Sequence, residues 1–444
     1  MVRNLIHKGK LIHESTLEGE TRSHGLFPGH INGLQASKNR FLLLYTTRGW
    51  RGSDDNVSVI CQIRDGAYDG PLVREVCLAK SINDWMPFDD GKHYVKAHLH
   101  PLLFGVPKGA VINGSVPLHA GLLVFMWHRE IRELDPQTGF MLHYKESIQK
   151  LLDVSVTEWM QVRLNDSEDD FDIIQPRQTL RQKDHHLGYP FCELETRRMV
   201  LTMNPPVSFN SSGSEWIGSS SYEDIARTSR VATLRMSFNP QTGLYEWTDC
   251  GPLSIAGMFE SAVISSGQGA ILMSRIKASM DAPKGGRVAW FKLNDPFGAM
   301  AEPVYPEQPI TAAPVTAFRC ADGLIRLLSN EPNLTPYPHE RNPLYVWDID
   351  PDAGFRASNC RTVFDSVAAK IPIRDVSLPV VDQAKVLPHV GGNRQIVAHR
   401  VRPKSLNSPF KTGVVISDEE REASGIYYAE LEYDRDYPSA WSFE

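Results

Sequence analysis

Apolar and polar positions along this chain fall mostly into runs of strand length, separated by turn-forming residues. Long helical periodicity is scarce. The clearest stretch is Gly257-Met-Phe-Glu-Ser-Ala-Val-Ile-Ser-Ser-Gly-Gln-Gly-Ala-Ile-Leu-Met-Ser-Arg275. It predicts a strand, a tight glycine-containing turn and a second strand. Val263, Ile264, Ile271, Leu272 and Met273 supply an apolar body. Glu260 stands near the start of the first strand and Arg275 at the end of the second. In a hairpin with matched strands these positions meet at one edge of the sheet. A carboxylate and a guanidinium are therefore expected together at one end of one hairpin.

The same grammar recurs. Ile31 to Thr47 is followed by Val57 to Arg64, and Ala110 to Ile131 by Trp159 to Leu164 and Asp172 to Gln175. Phe191 to Met203 is followed by Val231 to Phe238 and Tyr245 to Thr248. Glu260 to Ile276 leads to Arg287 to Leu293, Val315 to Ser329 to Leu344 to Ile349, and Val386 to Arg402 to Ile426 to Tyr433. Turns at Asp135-Pro-Gln-Thr-Gly139, Asn239-Pro-Gln-Thr-Gly243 and Asp350-Pro-Asp-Ala-Gly354 close several units. Only Lys145 to Asp153 and Thr362 to Lys370 read as briefly helical. Six strand-rich units of roughly 60–80 residues suggest a β-propeller, whose blades bury their faces against each other. The count of six leaves five or seven open. A two-domain β-sandwich is the rival, but it calls for shorter, more regular strand spacing. The expectation is an all-β chain, 1–444 forming a single six-bladed propeller domain.

Composition narrows the chemistry. A 444-residue chain with 41% hydrophobic residues can bury a large core. Its net charge of −6 comes without long runs of like charge, which argues against nucleic acid or an anionic membrane as partner. The acidic run Asp166 to Asp172 reads as a solvated loop. Cys61, Cys77, Cys192, Cys250, Cys320 and Cys360 are scattered without C-x-x-C pairs, so neither disulfides nor zinc are expected. The first residues show no signal-peptide core, which makes the cytoplasm the default compartment. No apolar run approaches the length of a membrane span.

Against this background the chain resembles the sialidase (neuraminidase, BNR-repeat-like) superfamily of six-bladed propellers. One blade of that family carries a Glu followed across a turn by an Arg, as Glu260 and Arg275 do here. The next blade has a Leu/Ser/Asn-Pro run and then an Arg before an outgoing strand, matched by Leu327-Leu-Ser-Asn-Glu-Pro332 and Glu340-Arg-Asn-Pro-Leu-Tyr-Val-Trp347. The first blade has an apolar-Pro lead-in and a loop Asp, matched by Leu26-Phe-Pro-Gly-His30 and Arg48-Gly-Trp-Arg-Gly-Ser-Asp-Asp-Asn56. The chain departs from the family at three points. The arginine before the apolar-Pro lead-in is absent, with His24 and His30 nearby. No Ser-x-Asp-x-Gly-x-x-Trp box is present. The last-blade segment Ser377-Leu-Pro-Val-Val-Asp-Gln-Ala-Lys-Val-Leu-Pro-His389 lacks the family's nucleophilic Tyr.

The resemblance implies a carboxylated sugar as ligand. An arginine fork matches a carboxylate's two oxygens, which singles out Arg275 and Arg341, with Arg51 as a third. Glu260 is a candidate nucleophile or orienting partner, and Asp54 or Asp55 a candidate general acid. Histidines at strand ends suit acid/base work near neutral pH. His98 and His100 alternate in Lys96-Ala-His-Leu-His-Pro101, His119 and His128 bound a strand, His185 and His186 precede another, and His389 and His399 lie in the last unit. His100, His119 and His128 are expected in one pocket, with Arg129, His30 and Tyr189 as further substrate contacts. A metal held by His98, His100 and His119 lacks a carboxylate tied to it by spacing. Gly105-Val-Pro-Lys-Gly109 is not a phosphate loop, which leaves Lys108 as a wall cation or a solvated lysine.

Three functions follow. The first is a sialidase-like glycoside hydrolase acting on acidic glycans. The second is a polysaccharide lyase acting on uronates with histidine as acid and base. The third is a glycan-binding propeller without chemistry. None calls for a cofactor or a metal.

Overall fold

The computed structural model describes residues 1–13, 15–17, 29–48, 57–136, 155–180, 196–201, 204–224, 228–266, 269–276, 288–306, 310, 316–331, 334, 337, 341–404 and 414–443. Its antiparallel sheets form six blades around an axis.

Strand β1 (Val2–Lys10) belongs to the last blade. Blade one holds β2 (Ile31–Gln35), β3 (Arg40–Arg48), β4 (Val57–Asp65) and β5 (Leu72–Ala79). Blade two holds β6 (Ile82–Trp85), β7 (Tyr94–Gly105), β9 (Leu123–Glu133), β10 (Ser155–Leu164) and β11 (Phe171–Leu180), while the short β8 (Ala110–Val111) lies outside it. Blade three holds β12 (Thr196–Leu201), β13 (Val207–Ser208), β14 (Glu215–Asp224), β15 (Ser229–Asn239) and β16 (Leu244–Cys250). Blade four holds β17 (Met258–Ser265), β18 (Ala270–Ile276) and β19 (Val288–Leu293). Blade five holds β20 (Thr316–Arg319), β21 (Ile325–Ser329), β22 (Leu344–Asp350) and β23 (Arg356–Phe364). Blade six holds β24 (Pro379–Val386), β25 (Gly392–Pro403) and β26 (Gly425–Tyr437), and β1 pairs with β26 as its fourth strand. The ring is thus closed by strands from opposite ends of the chain. The last strand, β27 (Ser442–Phe443), pairs with β8.

The reason for this architecture is visible in the middle strands. Val57–Asp65 is buried at every position but the last, and Leu123–Glu133 is buried almost throughout. A strand covered on both faces needs a sheet packed on either side. The apolar residues accordingly gather into radial wedges between neighbouring blades. Phe125 and Trp127 meet Leu42 and Val59 between blades two and one. Trp159 meets Trp216 and Trp247 between two and three, and Phe291 meets Ile217 and Val231 between three and four. Trp290 meets Phe355 and Leu327 between four and five, Leu328 meets Val401 and Leu431 between five and six, and Ile60 meets Ala398 and Ile426 between one and six. Six wedges and six blades settle the count. Because the core is divided in this way, the axis is left to polar side chains.

Two of the turn signals are seen in full. Gly243 adopts φ 70° and its N–H bonds the Asn239 carbonyl at 2.9 Å. The Asp350 side chain accepts from the N–H groups of Asp352 and Ala353 before Gly354 at φ 65°. Three readings change. Thr362 to Lys370 is not helical: its first residues end β23 and the rest form turns, because β-branched Thr362 and Val363 pack as strand. The inner strand of blade two is Tyr94–Gly105, upstream of the expected opening run Ala110 to Ile131. A helix lies instead at Asp418–Ala423, where Ser417 and Glu420 form a capping box. Lys145 to Asp153 lies outside the described residues. Cys61, Cys77, Cys250, Cys320 and Cys360 are free thiols, and Cys192 is outside the described residues.

Candidate active site at the propeller axis

Alternate blades share one irregularity. On β7, β17 and β24 two residues oppose one on the partner strand: His100 and Pro101 face Trp127, Glu260 and Ser261 face Ser274, and Gln383 and Ala384 face His399. Each of these bulges contains one left-handed residue: His100 at φ 48°, Glu260 at φ 49° and Gln383 at φ 54°. A non-glycine residue there costs about 1–3 kcal/mol and persists only where its surroundings impose it. Bulges of this kind re-aim side chains beside active sites. Here they act on three of the six inner strands.

In blade four the predicted hairpin forms, and Arg275 Nη1 donates to Glu260 Oε2 at 2.7 Å. The Glu260 N–H donates to Ser221 Oγ of blade three at 2.8 Å, which holds the bulge. The Arg275 guanidinium lies 4.9 Å from the Phe259 ring centre, and its Nε has no hydrogen-bond acceptor. Its side chain is 24% exposed.

In blades five and six the organising group is Asp382, which is fully buried. Arg400 grips it with Nε at 2.7 Å and Nη2 at 3.0 Å, and Arg341 Nη1 reaches it at 2.9 Å. Burial alone would raise the Asp382 carboxyl. Arg400, Arg402 and Arg341 outweigh burial and hold it below the ordinary aspartate range. Arg341 keeps a 26% exposed side chain, and its Nε has no acceptor.

The bulge at Gln383 turns Lys385 to the same face as Asp382. Lys385 Nζ donates to Asn204 Oδ1 of blade three at 3.0 Å, and Asn204 Nδ2 in turn donates to the Ala317 carbonyl of blade five. Blades three, five and six are thus tied together near the axis by one polar bridge. Burial pushes the Lys385 amine down to about 7, against the opposing charge of Glu260.

On the remaining side the His30 and His100 rings stand 4.0 Å apart, centre to centre, and His128 stands 6.5 Å from His100. His128 Nε2 pairs with Glu130 at 3.1 Å, and Glu130 is held by Arg132 Nε at 2.7 Å.

The structure therefore brings together Glu260 and Arg275, Arg341 and Asp382, and His30, His100 and His128. It separates others. His119 is not with His100 and His128: its Nε2 meets the Ser212 carbonyl at 2.7 Å, and its ring packs on Phe238 and Tyr245 of blade three. It lies in a turn four residues before β9 and not at a strand end, so it is carried toward blade three. Arg129 faces blade one and pairs with Glu158 at 3.0 Å, because neighbours on β9 alternate faces and His128 takes the other one. His98 shares that face beside Glu158, and burial followed by the charges of Lys96, Arg177 and Arg129 lowers it to about 3. His399 packs on Phe364, and His389 meets the Tyr437 carbonyl. Lys108 serves the 165–168 turn, bonding the Asn165 carbonyl at 3.2 Å. Among the described residues no three His, Cys, Asp or Glu side chains are grouped to hold a metal. Arg51, Asp54, Asp55, Tyr189, His185 and His186 lie outside the described residues. Asp382, Lys385, Asn204 and Arg400 were not singled out from the sequence. The available signal was two charges three apart inside the apolar run Leu378–Val386.

No protein-family profile matches this chain, and no curated protein matches it in sequence. Solved structures do match it. Trypanosoma rangeli sialidase in complex with the inhibitor DANA is 10% identical, with a TM-score of 0.58, over 96% of this chain and 58% of that one. The same sialidase in complex with sialic acid is 10% identical, with a TM-score of 0.56, over 97% and 57%. The Hadza microbial sialidase Hz136 is 10% identical, with a TM-score of 0.55, over 93% and 68%. The chain spans somewhat more than half the length of the trypanosomal sialidases. At this identity the likeness is one of fold, and the expected six-bladed, sialidase-like propeller is the one observed.

Proposed function

We propose that the axial site binds the carboxylate of an acidic sugar and that the protein is a glycoside hydrolase built on the sialidase architecture. The observation that carries this reading is the pair Arg275 and Arg341. Each is anchored through Nη1 by one carboxylate and keeps a side chain a quarter exposed, so that part of its guanidinium faces outward. Such donors suit a ligand carboxylate. Glu260 accepts the proton of an attacking water or attacks the anomeric carbon itself, while Asp54 protonates the departing oxygen. The sugar bound by the trypanosomal sialidase, sialic acid, is the first substrate to try.

A second reading is favoured by His30, His100 and His128. Three imidazoles in sequence, one backed by Glu130 and Arg132, suit removal of a proton beside a uronate carboxylate. One experiment separates the readings. An acidic-glycan panel, including sialosides and uronate polymers, is followed both by released reducing ends and by ultraviolet absorbance of a new double bond. Reducing ends without absorbance, lost in Glu260→Gln by about 10²–10⁴-fold, support hydrolysis. Absorbance supports elimination. Saturable binding with neither signal makes the chain a glycan-binding propeller, and no binding of any acidic glycan removes the proposal.

A further inference from the structure

A second polar site lies away from the axis. Where the end of β5 and the following turn meet the face of blade two, a cavity of about 700 Å³ opens. That is the size of many small-ligand pockets. Leu78, Ala79, Ile82, Met160, Ile173 and Pro176 give it apolar walls, and Lys80, Lys96 and Arg177 line it with three cations. Among the described residues no carboxylate lines it. The carboxylate behind the wall, Glu158, is already engaged: Trp127 Nε1 donates to it at 2.9 Å, Arg129 pairs with it at 3.0 Å, and Arg177 stands 3.7 Å away.

Among the described residues, no acceptor takes a hydrogen bond from the Lys80 or Lys96 amine. Lys96 Nζ instead lies 5.9 Å from the Trp85 ring centre. Burial lowers the Lys96 amine, and the neighbouring Arg177 and Arg129 add to this against the pull of Glu158. Like charges around one cavity repel unless an anion is placed among them.

We infer that this cavity between blades one and two is a binding site for the phosphate or sulfate group of a small molecule, with Lys80, Lys96 and Arg177 as its ligands. A phosphate monoester carries up to two negative charges, and it and a sulfate ester each present three oxygens, so either answers three cations better than a single carboxylate does, and the apolar walls leave room for an attached ring. The site is independent of the axial one, since none of its residues belongs to the Glu260, Arg275 and Arg341 set.

The test is titration calorimetry at low salt with inorganic phosphate, inorganic sulfate, glucose 6-phosphate and glucose. Phosphate, sulfate and glucose 6-phosphate are expected to bind saturably, and glucose is not. Lys80 and Arg177 are exposed, so the double variant Lys80→Met, Arg177→Gln keeps the unliganded melting temperature and weakens phosphate at least tenfold. Lys96→Arg, which keeps the charge, retains binding, and Arg275→Lys leaves it untouched. Tighter binding of glucose 6-phosphate than of phosphate assigns the group to a phosphorylated sugar, and equal binding assigns it to free phosphate. Wild-type protein that does not bind phosphate, or a double variant that binds it undiminished, overturns the inference.

Discussion

Arg326 and Arg275 sit on strands of neighbouring blades and are treated differently by their surroundings. Arg326 is fully buried on β21. Its Nε donates to Asp348 at 2.8 Å, and its two terminal nitrogens take both oxygens of Asp322, at 2.7 and 2.6 Å. Burial opposes its charge, but Asp322 raises its pKa regardless. Arg275, like Arg341, makes one carboxylate bond through Nη1, at 2.7 and 2.9 Å respectively, and stays a quarter exposed. An arginine whose fork is filled by the protein locks the strands of its blade together. One whose fork is held at a single corner is positioned but left with donors to offer.

The largest effect should come from the filled fork. Arg326→Met leaves Asp322 and Asp348 without their main partner, and urea denaturation should show a loss of about 3–5 kcal/mol, the scale of a broken buried pair. Acidic-glycan affinity of the folded protein should not change. A loss below about 1 kcal/mol, typical of an exposed pair, would erase the contrast.

The open forks should behave in reverse. Arg275→Lys and Arg341→Lys should each weaken an acidic glycan by about 1–3 kcal/mol, the scale of a charge-assisted hydrogen bond, since lysine cannot present a fork. Melting temperatures should barely move. Calorimetry that finds affinity intact and stability reduced would place both arginines with Arg326.

The smallest effect is one of pH. Lys385 is lowered by burial to about 7, so it is charged below that value and neutral above it. A protonated amine beside Glu260 adds positive charge to the axial site. Anionic-glycan affinity should therefore be stronger at pH 6 than at pH 8, by about 0.5–1 kcal/mol, the scale of a screened charge pair. Lys385→Met should flatten that dependence. A profile that is unchanged in this variant would assign it to the histidines.

Much of this was legible in the sequence where it depended on local chemistry. The blade-four hairpin could be read because a glycine turn joins two β-branched, apolar runs, and the strands then dictate where Glu260 meets Arg275. The number of blades followed from counting such units. What escaped depended on a shift by one residue or on distant partners. Asp382 and Lys385, three apart, face opposite ways in a regular strand, and only the bulge at Gln383 unites them. His119 and His128 bound one run of sequence, yet only His128 approaches His100, because blade packing sets the direction of each. The inner strand of blade two was hidden by its two histidines and Pro101. Strand β1 carries no local sign of its partner, since its cover comes from β26 and from blade five, both distant in sequence.

That last pairing also has a temporal side. The amine of Met1 bonds Asp434 across 433 residues of chain, and Val2 lies opposite Tyr433. Loop-closure entropy makes such distant contacts late ones in folding. During synthesis β1 emerges early and has no edge to join until β26 has left the ribosome. For that whole interval both the strand and the open side of blade six are exposed, and an exposed edge invites pairing with other chains. Yield in a cell should therefore depend more on how fast this final seam closes than on how stable the finished ring is.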